Sequence, residues 1–187
     1  MTTKDSVLVA LFAALTAALG MMPPVPMPFG VPITLQSMAP MLAGALLGAR
    51  KGALSQILFL VLVFAGLPLL SGGRGGLGIL LGPTAGFALS WVLIAALIGC
   101  FVHNPQAQKR WLPTALTCFT LAVILGAGLG VTWLSVYLET SWLEAGASCL
   151  IFLPGECIKS CLTAQVVVQV QKNFTPSSQN QPAKKLF

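Results

Sequence analysis

Apolar residues run through this chain in long blocks, and polar residues collect in the short intervals between them. Read as helices, the blocks fall at residues 5–22, 33–49, 52–70, 83–102, 113–138 and 145–172. Most have the length of a bilayer-crossing helix, which needs roughly 20 predominantly apolar residues. The intervals carry the breaking signals. Prolines 23, 24, 26, 28 and 32 exclude helix between the first two blocks, and a glycine-rich stretch from Ser71 to Gly78 follows the third. Pro83 opens the fourth block, where a missing N–H costs little. Pro154-Gly155 interrupts the sixth. The pattern predicts an all-α membrane protein with six transmembrane helices. It forms a single domain over 1–174, and a polar, disordered cytoplasmic tail follows at 175–187.

Composition narrows the class. Of 187 residues, 56% are hydrophobic and 7% charged, against roughly a quarter charged in a soluble domain. No charge occurs between Ser6 and Ala49, Gly52 and Gly73, Gly75 and Val102, or Trp111 and Leu138. Water cannot solvate such a surface; a bilayer can. The N-terminal block has a weak basic region, Lys4 beside Asp5, and no A-x-A cleavage pattern, so it reads as a retained first span rather than a signal peptide.

Charge sets the orientation. With the N-terminus in the cytoplasm, Lys4, Arg50, Lys51, Lys109, Arg110, Lys172, Lys184 and Lys185 all fall on the cytoplasmic side, and Glu139 and Glu144 fall outside. Both termini are then cytoplasmic. Trp111 and Trp142 sit near the predicted interfaces, where an indole ring is half apolar and half wet.

Two cations ignore that bias. Lys159 lies inside the sixth block, three residues after Glu156, on the same helix face. A lone charge at membrane depth costs a few kcal/mol or more, and pairing lowers the cost. The pair either braces helices or faces a cavity opened by the Pro154-Gly155 break. Arg74 sits among the glycines of SGGRGGLG (71–78). It is either a solvated residue on a flexible external loop or an anion clamp, since a guanidinium offers a planar fork to a carboxylate. The string resembles a dinucleotide fingerprint, but no strand precedes it. Ala10, Ala14 and Ala18 recur every fourth residue on the first helix, with Ala13 and Ala17 beside them. Such a face serves close packing inside the protein or against a partner.

Other chemistry is poorly supplied. Cys100, Cys118, Cys149, Cys157 and Cys161 lie in apolar context with no CxxC pair and read as small buried apolar residues. His103 is the one histidine, at a predicted membrane edge. The chain offers no nucleophile–base set, no metal cluster and no G-x-x-x-x-G-K-[ST] for ATP, so neither an enzyme nor a resident cofactor is expected. No nucleic-acid partner is expected; membrane lipid is.

The run GGRGGLGILLGPTAGF (72–87), the segment PGECIK (154–159) and the proline loop leading into Ile33-Thr-Leu-Gln36 together resemble the BioY family, over about residues 5–172. These are the biotin-binding S components of energy-coupling factor (ECF) transporters of the bacterial cytoplasmic membrane. The resemblance implies six helices with both termini inside and a biotin pocket near the external face. It also implies a transmembrane coupling protein and ATPase subunits as partners, docking on small residues of the first helix, which Ala10, Ala14 and Ala18 match. Glu156 stands where the family motif more often has Asp, so its carboxylate reaches one methylene further. For biotin, Glu156 accepts a ureido N–H, and Lys159 donates to a carbonyl or holds Glu156. Arg74 or loop N–H groups meet the carboxylate, and Thr34, Gln36 and Thr84 are further candidate polar contacts. Competing readings are an S component for another vitamin, such as thiamine or riboflavin, and a small channel or ion-coupled carrier using Glu156 and Lys159 as a relay.

Overall fold

The computed structural model describes residues 1–27, 30–104 and 110–174. Lys109, Lys184, Lys185 and the expected tail at 175–187 lie outside the described residues. Among the described residues the chain is helical, with two isolated antiparallel bridges, Val25 to Ile33 and Leu70 to Arg74.

Helix α1, Thr3–Gly20, starts on a capping box in which Thr2 and Asp5 satisfy each other's backbone N–H groups. It stops just before the prolines. Its last residue lies so close to the following loops that a Cβ on Gly20 would stand 2.7 Å from the Leu69 carbonyl oxygen.

Helix α2 corrects the expected 33–49. It covers only Met38–Leu47. The backbones of Val25 and Ile33 exchange two 2.9 Å hydrogen bonds, which hold the chain around Ile33 extended, and helix begins only after a turn at Ser37. Ten residues at 1.5 Å each give about 15 Å, half a bilayer core. Met41, Ala43 and Ala45 are fully buried. A helix apolar on all sides belongs at the centre of a bundle, and α2 packs against α3, α4 and α8.

Gly48, at φ 84°, turns α2 directly into α3, Ala49–Phe64. Only glycine takes that φ freely, and a Cβ there would meet the His103 ring at 2.8 Å. Helix α3 ends six residues short of the expected 70, because Gly66 (φ 105°) and Pro68 turn the chain toward the Leu70–Arg74 bridge. The glycine-rich stretch is therefore a bridged turn, followed by a short 3-10 helix, Leu77–Leu81. Helix α4, Ala85–Val102, falls close to its expected 83–102. It approaches α2 through small residues: a Cβ on Gly44 would lie 3.1 Å from Ala95 Cα.

The fifth block is continuous from Trp111 to Tyr137 but changes pitch within. Helix α5, Trp111–Leu125, passes through a π-helical turn, Gly126–Val131, into α6, Thr132–Tyr137. The turn contains three glycines, and Phe87 fills the space where a Gly130 side chain would stand. The sixth block starts earlier than expected. Helix α7, Trp142–Cys149, opens on a Ser141–Glu144 capping box, and a 3-10 turn, Leu150–Phe152, separates it from α8, Leu153–Phe174. The break lies just before Pro154-Gly155, and proline occupies the first turn of the new helix, where it is tolerated.

Four helical stretches, Thr3–Gly20, Ala85–Val102, Trp111–Tyr137 and Trp142–Asn173, are long and apolar enough to cross a membrane. The exposed surface fits a multi-pass membrane protein, with Leu11, Val61, Leu116, Ile158 and other large apolar side chains facing outward. The cysteines depart from the expected burial. Cys118 is buried, whereas Cys100 and Cys157 face outward on that apolar surface and Cys149 and Cys161 are intermediate; all five are free.

Candidate ligand-binding site

A cavity of about 490 Å³ opens among the loops before α2 and α4, helices α4 and α5, the π turn, and the α7–α8 break. Trp91, Phe87, Ile94 and Leu153 contribute to its apolar wall. Apolar walls with a few placed polar groups are the usual anatomy of a small-molecule site. Glu156, Lys159, Arg74, Thr34, Gln36 and Thr84 all line it. The structure thus gathers into one cavity six residues spread over more than 120 positions of sequence.

The break between α7 and α8 brings the first turn of α8 to the cavity. Lys159 is 4% exposed. Its ammonium group donates to Ser37 Oγ at 2.7 Å, to the Thr34 carbonyl oxygen at 3.4 Å, and to Glu156 Oε1. Its three protons are thereby matched to three acceptors. Glu156 is the more open member: its side chain is 17% exposed against 6% for Lys159. Its Oε1 lies 3.3 Å from Ser37 Oγ, while Oε2 has no hydrogen-bond partner among the described residues. A carboxylate oriented by its neighbours and left with a free oxygen accepts a charge-assisted hydrogen bond from a ligand N–H.

Ser37 is the residue that sequence reasoning missed. Its hydroxyl ties Lys159 to the turn before α2, across 122 positions of sequence. A serine just ahead of a helix reads as a cap, and no local signal marks a partner so distant. The N-cap hydrogen bond is in fact absent.

Arg74 closes the glycine-rich turn. Its Nε donates to the Ser71 carbonyl oxygen at 3.2 Å. The terminal guanidinium nitrogens have no partner among the described residues, so the fork remains open for an anion. Thr84 stands at the start of α4, with no side-chain cap bond. Thr34 meets Lys159 through its carbonyl oxygen. Gln36 lies in the wall with its amide already hydrogen-bonded to backbone.

Ala10, Ala14 and Ala18 lie away from the cavity, on the exposed side of α1. The opposite side carries Ala13 and Thr16, both buried. The inward face, rather than the alanine stripe, makes the internal packing.

The family model for BioY matches residues 1–176. The biotin transporter BioY of Rhizobium etli is 40% identical over 170 residues, covering 88% of this chain and 91% of that protein. The biotin transporter BioY of Rhodobacter capsulatus is 39% identical over 184 residues, covering 94% of this chain and 96% of its own. Among solved structures, the S-component for biotin from an ECF-type ABC transporter superposes with a TM-score of 0.85 at 36% identity, over 92% of this chain and 95% of that one.

Proposed function

This chain belongs to the BioY family, and from that premise we propose that it binds biotin in the cavity and delivers it for uptake as the substrate-specific subunit of an ECF transporter. It is not an enzyme. The observation that carries the site is the Glu156–Lys159 ion pair lining an apolar cavity together with Arg74, whose terminal guanidinium nitrogens have no partner among the described residues. Biotin supplies the complement: an apolar ring system and chain, a ureido group with two N–H donors and a carbonyl, and a carboxylate. In this reading Glu156 takes a ureido N–H, and Lys159 holds it in place with Ser37. Arg74 takes the carboxylate, and the Thr84 and Thr34 hydroxyls offer further polar contacts.

The assignment of the carboxylate to Arg74 can be checked by substitution. Arg74→Ala should weaken biotin about ten- to hundredfold, the worth of one charge-assisted bond, and biotin methyl ester much less. The ratio of the two affinities cancels any general damage to the fold. An equal loss for acid and ester assigns the carboxylate to another donor.

The reading places the single 1–174 domain in the bacterial cytoplasmic membrane with six crossings and both termini in the cytoplasm. The described cations Lys4, Arg50, Lys51, Arg110 and Lys172 support it, because helix direction carries them to the end away from Arg74 and Glu156. Helix α2 completes its crossing with the extended chain before it. In a background without the five native cysteines, Gly73→Cys should react with an impermeant maleimide in intact cells, and Arg50→Cys only after permeabilisation. The reverse result would invert the topology. The partners are an ECF transmembrane coupling protein and its ATPases, with Ala10, Ala14 and Ala18 as the docking face.

A further inference from the structure

Gln36 is 1% exposed, and its side chain joins three backbone groups from two distant parts of the chain. Its Nε2 donates to the Thr16 carbonyl oxygen on α1 at 3.0 Å and to the Leu69 carbonyl oxygen at 2.9 Å. Its Oε1 accepts from the Ser71 N–H at 3.1 Å. Both donors of the amide are therefore committed, and neither is left for a ligand.

The next bond along reaches the site. Ser71, held by its N–H, presents its carbonyl oxygen to Arg74 Nε at 3.2 Å. Leu70, between the two gripped residues, exchanges backbone bonds with Arg74 at 3.0 and 3.2 Å. At the tip of the turn Gly72 and Gly73 are at positive φ with open space around both; its entry is held by Gln36, and its exit by the Gly76 N–H, which donates to the Val63 carbonyl oxygen at 2.7 Å. The guanidinium is thus fixed through a turn whose base is clamped by Gln36, and Gln36 is itself anchored on the inner face of α1. Gly20 allows that contact, since a Cβ there would collide with the Gln36 amide.

We infer that Gln36 is a positioning residue for the ligand carboxylate: it touches no ligand, and sets Arg74 by clamping the base of the glycine-rich turn to α1. The inference rests on the reading of Arg74 as the carboxylate's partner. A direct contact by Gln36 and a purely structural role each predict something different, and a double-mutant cycle separates them.

The experiment uses the full chain in detergent. Affinities for biotin and for biotin methyl ester, with thermal midpoints, are measured for Gln36→Leu, Gln36→Glu, Arg74→Ala and each Gln36 change combined with Arg74→Ala. Gln36→Glu retains an acceptor for the Ser71 N–H while losing the amide's paired donors, and gives a reading if Gln36→Leu does not fold. Each Gln36 change should lower biotin affinity about tenfold, the equivalent of one hydrogen bond. The ester should be nearly unaffected, and Arg74→Ala should leave nothing further to lose. Equal losses for acid and ester, or a loss that persists in the Arg74→Ala background, would overturn the inference in favour of direct contact. A lowered thermal midpoint with unchanged acid-to-ester ratio would overturn it in favour of bracing alone. If Arg74→Ala itself fails to separate acid from ester, the carboxylate reading falls and takes this inference with it. If Arg74→Ala separates them and the Gln36 variants do not, only this inference falls.

Discussion

Glu156→Gln is expected to lower biotin affinity about ten- to hundredfold without unfolding the protein. The change keeps size and one acceptor but removes a charge-assisted hydrogen bond, worth about 1.5–3 kcal/mol, or one to two decades of affinity. Lys159 remains supported in that variant, because Ser37 Oγ and the Thr34 carbonyl oxygen still accept its protons. Lys159→Met should behave differently. It strands a carboxylate in an apolar wall, a defect that costs about 3–5 kcal/mol when a buried pair loses one member. The cavity exposure of Glu156 places the cost toward the lower end. Combining the two changes removes the stranded charge, so the double variant should melt above Lys159→Met, since a buried unpaired charge costs far more than a neutral amide at the cavity wall. It should nonetheless fail to bind biotin. Thermal melts and equilibrium binding on the three variants separate recognition from bracing. A well-folded double variant with full affinity would remove the pair from the site.

The second large effect is expected on the opposite side of the molecule. Ala14 is exposed on α1, on the side turned away from the buried Ala13 and Thr16. In the isolated protein a tryptophan there meets lipid, so biotin binding and thermal stability should be unchanged. Against a closely approaching partner helix the same side chain overfills the contact, at about 1–3 kcal/mol or more. Uptake and co-purification with the coupling protein should therefore fall about five- to hundredfold. Parallel loss of binding and uptake would return the alanines to internal packing.

Much of this was legible in the sequence because charge is so scarce. Fourth-block boundaries lie within two residues of those of α4, since Pro83 marks one end and the polar His103-Asn104 the other. Lys159 and Arg74 were conspicuous as cations out of place, and the structure brings both to one cavity. What stayed hidden depends on contacts between distant segments. Ile33 reads as the first residue of an apolar helix; its pairing with Val25 makes it extended. The π turn lies where Gly130 meets Phe87; its three glycines permit a change of pitch, but only that distant contact shows where it falls. Ser37 and Gln36 are ordinary polar residues ahead of a helix. Their roles lie in Lys159 at one side and in Thr16, Leu69 and Ser71 at the other, none of which sequence spacing brings near.

On the proposed function this chain alone forms the biotin site. Calorimetric titration of the purified protein in detergent, without coupling protein or ATPases, tests it most directly. Saturable binding of one biotin per chain is expected, weakened in Glu156→Gln and insensitive to Ala14→Trp. Absence of biotin binding by a folded chain that instead retains another vitamin, or that dissipates an ion gradient in vesicles, would contradict it.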